Sequence, residues 1–314
     1  MQYKKLGNTE ITVSRLCFGT LTIGPLQRGL DVEAGAGLIR QALELGVNFM
    51  DTAEIYGCYP YIKEAIRGFP DAVVASKSYA PTGPEMQKSL YKCLKELGRD
   101  YVDIFLLHEQ ESLFTIKGHW EAVEYLVKAR EKGLVRAIGI STHYVAGVRA
   151  AASIPEFDII HPLINRSGIG IADGGARDML DAIAFAAMMG KGIYGMKCLG
   201  GGHLIPEMDS AMDFILAVPG LTAVAVGMQS PEEIKYNVSK FSGIMPDQKL
   251  VEQLKGKKRR LHVEDYCRGC GQCVERCTAG ALAIVDGRAR VNMELCRLCG
   301  YCASVCPDFC IKVI

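Results

Sequence analysis

Nine of the thirteen cysteines in this 314-residue chain fall beyond residue 260, and eight of those nine repeat a single spacing. Cys267, Cys270, Cys273 and Cys277 are followed, each 29 residues later, by Cys296, Cys299, Cys302 and Cys306. Arg268 and Gly271 recur at the same offset as Arg297 and Gly300, so the segment is an internal duplication with a pseudo-twofold pair of halves. Three thiolates at this spacing wrap one face of an iron-sulfur cube, and the fourth ligand comes from the other half. On that pattern Cys267, Cys270, Cys273 and Cys306 hold one 4Fe-4S cluster, and Cys296, Cys299, Cys302 and Cys277 hold a second. Pro307 follows its run as the pattern expects, whereas Thr278 takes that place after Cys277. Structural zinc needs only four thiolates on one ion and no partner at the fourth spacing, which makes it the poorer reading. Cys310 maps by the same offset onto Ala281 and reads as a buried apolar thiol.

The rest of the chain is that of a globular protein, with 49% apolar and 23% charged residues. A formal net charge of +1 argues for no nucleic-acid or anionic-membrane partner, and the basic run Lys255 to Arg260 reads as a solvated helix end or linker. No apolar run reaches the roughly 18 residues of a membrane span, and MQYKKLGNTE lacks a signal-peptide core. The expectation is a soluble, cytoplasmic protein whose thiolates sit in a reducing compartment.

From about residue 10 to 242, short β-branched runs alternate with segments of helical period, the pattern of a parallel sheet with crossover helices. The strands are expected at Arg15 to Phe18, Asn48 to Met50, Ala72 to Ala75, Asp103 to Leu107, Val135 to Ile140, Asp158 to His161, Gly192 to Met196 and Thr222 to Val226. Helices are expected at Val32 to Leu45, Pro84 to Leu97, Gly118 to Lys132, Gly175 to Met189 and Pro231 to Phe241, among others. Eight such units suit a (β/α)8 TIM barrel better than an open doubly wound sheet, and Gly19 and Gly24 make no dinucleotide fingerprint of the G-x-G-x-x-G type. YKKLGNTEITVS reads as a hairpin, turning at Gly7-Asn8, that plugs the barrel's bottom. The division expected is residues 1–245 for the barrel, 246–262 for a helix and linker, and 263–314 for an α+β ferredoxin-like cluster domain.

Barrel active sites are built at the C-terminal ends of the strands. Asp51, Tyr56, Lys77 and His108 fall there, after the second, third and fourth strands. Tyrosine, with a reference pKa of about 10, needs a nearby cation to become an effective acid at neutral pH. Lys77 is the candidate cation, Asp51 its anchor, His108 the group that orients a substrate carbonyl, and Tyr56 the general acid.

In the order Gly19-Thr20, Asp51-Thr52-Ala53 with Tyr56-Gly57, Lys77, Leu107-His108, Gly139-Ile140-Ser141, Gly227 and Asn237, residues 3 to 242 resemble the aldo-keto reductase family. The resemblance implies that Asp51, Tyr56, Lys77 and His108 are its catalytic tetrad. It further implies hydride transfer between a nicotinamide cofactor, NAD(P)(H), and a carbonyl or alcohol substrate. Residues 263 to 314 resemble the two-cluster ferredoxins of bacterial type, and the fusion resembles an anaerobe-type branch of the family. Where the family grips the carboxamide with Ser, Asn and Gln, this chain has Ser141, Thr142 and His161. Met196, with Lys197 beside it, stands where a Tyr stacks on the nicotinamide. Gln229 takes the place of the basic residue that meets a 2′-phosphate, so no preference for NADPH over NADH is implied. Glu233 and Asn237 are candidate adenine contacts, and Cys58 and Cys198 read as packing residues near the barrel mouth.

Three functions compete. The first is an NAD(P)-linked oxidoreductase whose clusters exchange electrons with a ferredoxin or other redox partner, which requires a converter between paired and single electrons. The second places a flavin in the pocket where Met196 and His161 replace the usual contacts, and supplies that converter. The third is an electron-transfer or redox-sensing protein with an idle barrel, against which the complete tetrad argues. EQESLFTIK, Glu109 to Lys117, does not identify a substrate. The duplication carries its own test: anaerobically purified protein should contain about eight iron and eight acid-labile sulfide per chain, and about four of each would remove one cube.

Overall fold

The structure, a computed structural model, describes residues 1–314. The chain begins with a hairpin, β1 (Tyr3–Lys5) and β2 (Thr12–Ser14), paired antiparallel with Tyr3 opposite Ser14. Gly7 turns it at φ +54°, and a Cβ there would lie 2.3 Å from the Gly192 nitrogen, so the close approach requires glycine. Leu6, Ile11 and Val13 are buried among the inward-facing barrel residues, so the hairpin plugs the barrel's bottom.

Eight parallel strands then close on themselves: β3 (Leu16–Gly19), β4 (Phe49–Asp51), β5 (Val73–Ser78), β6 (Val102–Leu107), β7 (Val135–Thr142), β8 (Ile159–Pro162), β9 (Gly192–Met196) and β10 (Ala223–Gly227). Pairing of β10 with both β9 and β3 completes the barrel. All eight strands expected from the sequence are present, with β5 running on through Lys77 to Ser78. Because side chains alternate, Cys17, Phe49, Ile104 and Tyr194 fill the lumen while Phe18, Phe105, Ile160 and Ile193 face the outer helices. Each such large apolar side chain contributes about 1.5–3 kcal/mol by leaving water.

The helical layer follows from local signals. Thr82 caps the helix Gly83–Leu97 by accepting from the Glu85 N–H, and Gly98, at φ +66°, ends it. The helix expected at Gly118 to Lys132 is present as Trp120–Glu131, and a short helix the sequence reading did not place, Leu113–Gly118, precedes it and ends at His119. Ser112 starts this short helix, its hydroxyl accepting from the Phe114 N–H. No helix is long and apolar enough to cross a membrane.

After the helix Gln248–Gly256 come β11 (Leu261–Val263), β12 (Leu282–Val285), β13 (Arg288–Val291) and β14 (Ile311–Val313). The first pairs antiparallel with the last, and β12 with β13. The duplication survives in the backbone: the short helices Gln272–Arg276 and Tyr301–Ser304 both start at a left-handed glycine, Gly271 at φ 83° and Gly300 at φ 80°. This domain packs on the barrel mouth. Phe309, 2% exposed, forms an apolar cluster with Leu163 and Met196, and His203 Nε2 lies 3.2 Å from the Ile311 carbonyl oxygen.

The tightest point of this docking is Gly202, at φ +94°, where a Cβ would meet the Val313 carbonyl oxygen at 2.0 Å. Gly202→Ala should therefore displace β14 while the barrel stays folded. Hydrogen exchange should show faster exchange confined to β11 and β14, and unchanged protection there would mean the contact does not hold the two domains together.

Candidate active site and cluster sites

Strand parity turns Asp51 and Lys77 toward the lumen at its open end. Lys77, 1% exposed, donates to both Asp51 oxygens at 2.9 Å and to the Thr52 carbonyl at 2.7 Å. Those three bonds use all three of its N–H groups. Tyr194, which the sequence reading passed over, donates its hydroxyl to Asp51 Oδ1 at 3.0 Å. Its signal was positional, since an inward phenol in an apolar lumen must find an acceptor. His161 stacks on Tyr194 with centroids 3.8 Å apart, and its Nδ1 is 2.5 Å from the Tyr194 carbonyl oxygen, which assigns the proton to that nitrogen. Burial holds this imidazole near a pKa of about 4.

Tyr56 follows β4 on a short 3-10 turn, with Lys77 Nζ 5.2 Å from its ring centroid and the His108 ring edge-on at 5.9 Å. The expectation that Lys77 acidifies this phenol is corrected by the structure. Burial, followed by the carboxylates of Asp51 and Glu109, pushes the Tyr56 pKa well above its ordinary value, because the ammonium is committed to Asp51. His108 stacks on Tyr79 at 4.3 Å, and burial followed by the Lys77 charge pushes it well below the usual imidazole value. Its Nδ1 is buried without a partner. The site therefore presents a protonated phenol beside a neutral imidazole.

A cleft opens over Asp51, Tyr56 and His161. Asp51, Tyr56 and His161 line it at one end and Glu233 and Asn237 at the other, with Gly19, Met196, Lys197, Gly227 and Gln229 also in its wall. Thr20, Ser141 and Thr142 do not line it. The Thr20 hydroxyl donates to the Asp51 carbonyl at 3.1 Å, Ser141 Oγ accepts from the Glu109 N–H at 2.9 Å, and Thr142 Oγ1 accepts from the Tyr144 N–H at 2.9 Å. The carboxamide grip expected of Ser141 and Thr142 is thus missing from the wall, because their hydroxyls serve local turns.

The far end of the cleft is built differently from the sequence expectation. Glu233 accepts from the Gln229 N–H at 2.7 Å and pairs with Lys257 at 2.9 Å, so it braces the loop. Asn237 donates to the Glu233 carbonyl at 2.8 Å, while its Oδ1 is buried without a donor. The basic run is no free linker: Arg259 donates to the Leu254 carbonyl at 2.8 Å, and Arg28, Lys258, Arg259 and Arg260 surround Gln229 in an adjoining cleft. Lys312 and Val313 of the cluster domain line the main cleft. Burial pushes the thiols of Cys58 and Cys198 up to about 11 and about 12, which leaves both as unreactive packing groups.

In the C-terminal domain, Cys267, Cys270, Cys273 and Cys306 surround one cavity, and Cys277, Cys296, Cys299 and Cys302 surround another. Each set draws its fourth thiol from the other half of the duplication. No group of three His, Cys, Asp or Glu side chains is positioned to hold a single metal ion. Backbone N–H groups of Ala281 and Ala289 point at Cys277 Sγ (3.3 Å) and Cys267 Sγ (3.5 Å), in keeping with thiolate acceptors. Cys310 is a buried thiol 3.3 Å from Cys306 Sγ, outside both sets of four.

Comparison with known proteins supplies the family. The chain is 26% identical over 293 residues to L-galactose dehydrogenase from Arabidopsis thaliana, covering 76% of this chain and 88% of that protein. It is 26% identical over 274 residues to pyridoxine 4-dehydrogenase from Escherichia coli K12, covering 81% and 92%. Its structure resembles a putative aldo-keto reductase from Pseudomonas aeruginosa with a TM-score of 0.66 and 25% identity, covering 77% and 94%. A 4Fe-4S dicluster domain model matches residues 260–307, and the aldo/keto reductase family model matches residues 15–210, from β3 through β9. The chain belongs to the aldo/keto reductase family, as an oxidoreductase that carries a 4Fe-4S dicluster domain after its barrel.

Proposed function

We propose that the protein interconverts a carbonyl compound and its alcohol with a nicotinamide dinucleotide held in the main cleft, and that its cluster domain exchanges electrons with a ferredoxin or another redox partner. The observation that carries this reading is Tyr56, packed edge to face on His108, in the wall of a cleft that also holds the unpartnered Asn237 Oδ1. That oxygen suits the exocyclic amine of an adenine. Arg28, Lys258, Arg259 and Arg260 around Gln229 suit the phosphates of the same ligand, from elements other than the one the sequence resemblance pointed to.

When bound, a reduced nicotinamide supplies a hydride and the clusters supply single electrons. The chain's residues do the rest. His108, neutral, polarises the carbonyl by hydrogen bonding without donating a full charge. Tyr56 keeps its proton until the carbonyl oxygen becomes alkoxide-like, a stronger base than the phenolate, and then transfers it. Asp51 and Lys77 neutralise each other beneath the ring, so neither strips the phenol of its proton beforehand.

Tyr56→Phe should lower kcat by about 10²- to 10⁴-fold while the visible cluster absorption and dinucleotide binding persist. Undiminished turnover would reassign the proton donor. The pH profile offers a separate check. A phenol whose pKa is raised stays protonated up to and beyond its reference value of about 10, so kcat/KM for reduction should show no fall between pH 7 and about 9.5. An alkaline limb centred near pH 8 would instead mean that Lys77 does acidify Tyr56.

A further inference from the structure

We propose that Lys197 of the barrel and Lys312 of the cluster domain together bind the carboxylate of an anionic carbonyl substrate, so that the substrates are oxo acids or aldehyde acids. The inference rests on the carbonyl chemistry above and names the substrate class of the same site.

Two lysines in the cleft wall, Lys197 and Lys312, make no ion pair. The cleft's two acidic side chains are both engaged, Asp51 with Lys77 and Glu233 with Lys257. Lys197, directly after β9, makes neither an ion pair nor a hydrogen bond, although its ammonium group lies 5.8 Å from the Phe309 ring centroid. Lys312, 3% exposed, lies on the same ring at 3.2 Å, and its one hydrogen bond is to the Phe309 carbonyl oxygen. The two amines share one aromatic ring, and no carboxylate comes within ion-pair distance of either, Glu109 and Glu264 acting on them only from further off; like charges held so close repel each other in a wall of low dielectric. A bridging carboxylate removes that repulsion and accepts from both.

Backbone geometry marks the same place. Glu109, Lys197 and Phe309 are three of the five non-glycine residues with positive φ, at 51°, 60° and 47°. Such conformations cost energy, and proteins retain them where a site over-determines them. Glu109 acts on Lys197 without a direct ion pair, since its Oε2 accepts from the Tyr79 hydroxyl at 2.5 Å and its Oε1 lies 3.8 Å from His143. The charge of Lys197 is felt by His108, His143 and His161, which places it over the catalytic end of the cleft rather than beside Gln229. A carbonyl held at Tyr56 therefore sets a carboxylate on the same small molecule within reach of Lys197 and Lys312.

The test uses anaerobically purified, cluster-loaded protein with 4-carboxybenzaldehyde and its methyl ester as carbonyl probes, and terephthalate as a non-reacting dianion followed by calorimetry. The acid should exceed the ester in kcat/KM by about ten-fold or more, chiefly through KM, and Lys197→Met should collapse that ratio by about ten-fold. Terephthalate should bind about ten-fold more weakly to Lys197→Met and to Lys312→Met. If Lys312→Met disturbs the cluster absorption, Lys197→Met, on the barrel side of the cleft, decides alone. Equal turnover of acid and ester, with terephthalate binding unchanged by Lys197→Met, overturns the anion site and leaves the carbonyl reading standing. Reduction of neither aldehyde, with terephthalate binding still dependent on Lys197, keeps the anion site and rejects the carbonyl reading. Failure of both turnover and binding overturns the two together.

Discussion

The ion pair of Lys77 and Asp51 is the constraint on which the upper half of the barrel is organised. Taking a carboxylate and an ammonium out of water costs several kcal/mol per ion, and the loss is offset only where geometry is close and the remaining hydrogen-bonding capacity is filled. Both conditions hold here. Lys77 is saturated by Asp51 and the Thr52 carbonyl, and Asp51 takes a further bond from Tyr194. Removing one partner would strand the other charge in the lumen. Tyr194, His161, Tyr56 and His108 are arranged around this pair, and their protonation states follow from burial first and from its charges second: a neutral imidazole at His108, and a phenol at Tyr56 that holds its proton.

Much of the fold was legible because parallel barrels impose two strong periodicities. Runs such as Asp103 to Leu107 and Val135 to Ile140, buried on both faces, signal strands without ambiguity, and the duplicated cysteines signal their own pairing. The short helix Leu113–Gly118 was invisible, since six residues are too few to show a helical period. At the site, Asp51, Tyr56, Lys77 and His108 could be read from their places at strand ends. Three things could not. The direction of the Tyr56 shift depends on how completely Asp51 neutralises Lys77, which is a matter of ångströms. Ser141 and Thr142 are drawn into turns by the backbone N–H groups of Glu109 and Tyr144, which spacing does not reveal. The cations around Gln229 come from Arg28 and from the run before β11, remote in sequence and adjacent only once folded.

The cluster domain is part of the cleft rather than an appendage. Phe309 packs on Met196 and Leu163, and β14 completes one wall. A carbonyl reduction by hydride needs no iron, yet the two domains are joined physically, since the strand after Cys306 carries residues of the main cleft. The position of Met196 acquires a meaning here. A flexible thioether at the end of β9 accommodates an aromatic ring arriving from another domain, where a rigid Tyr would compete with it for the same space.

The antiparallel pairing of β11 with β14 brackets every cluster ligand, since β11 precedes Cys267 and β14 follows Cys306. Whatever loosens the thiolates loosens the loop they close, and with it the strand that walls the barrel mouth. Both sets of thiols and one wall of the main cleft thereby belong to a single closed excursion of the chain.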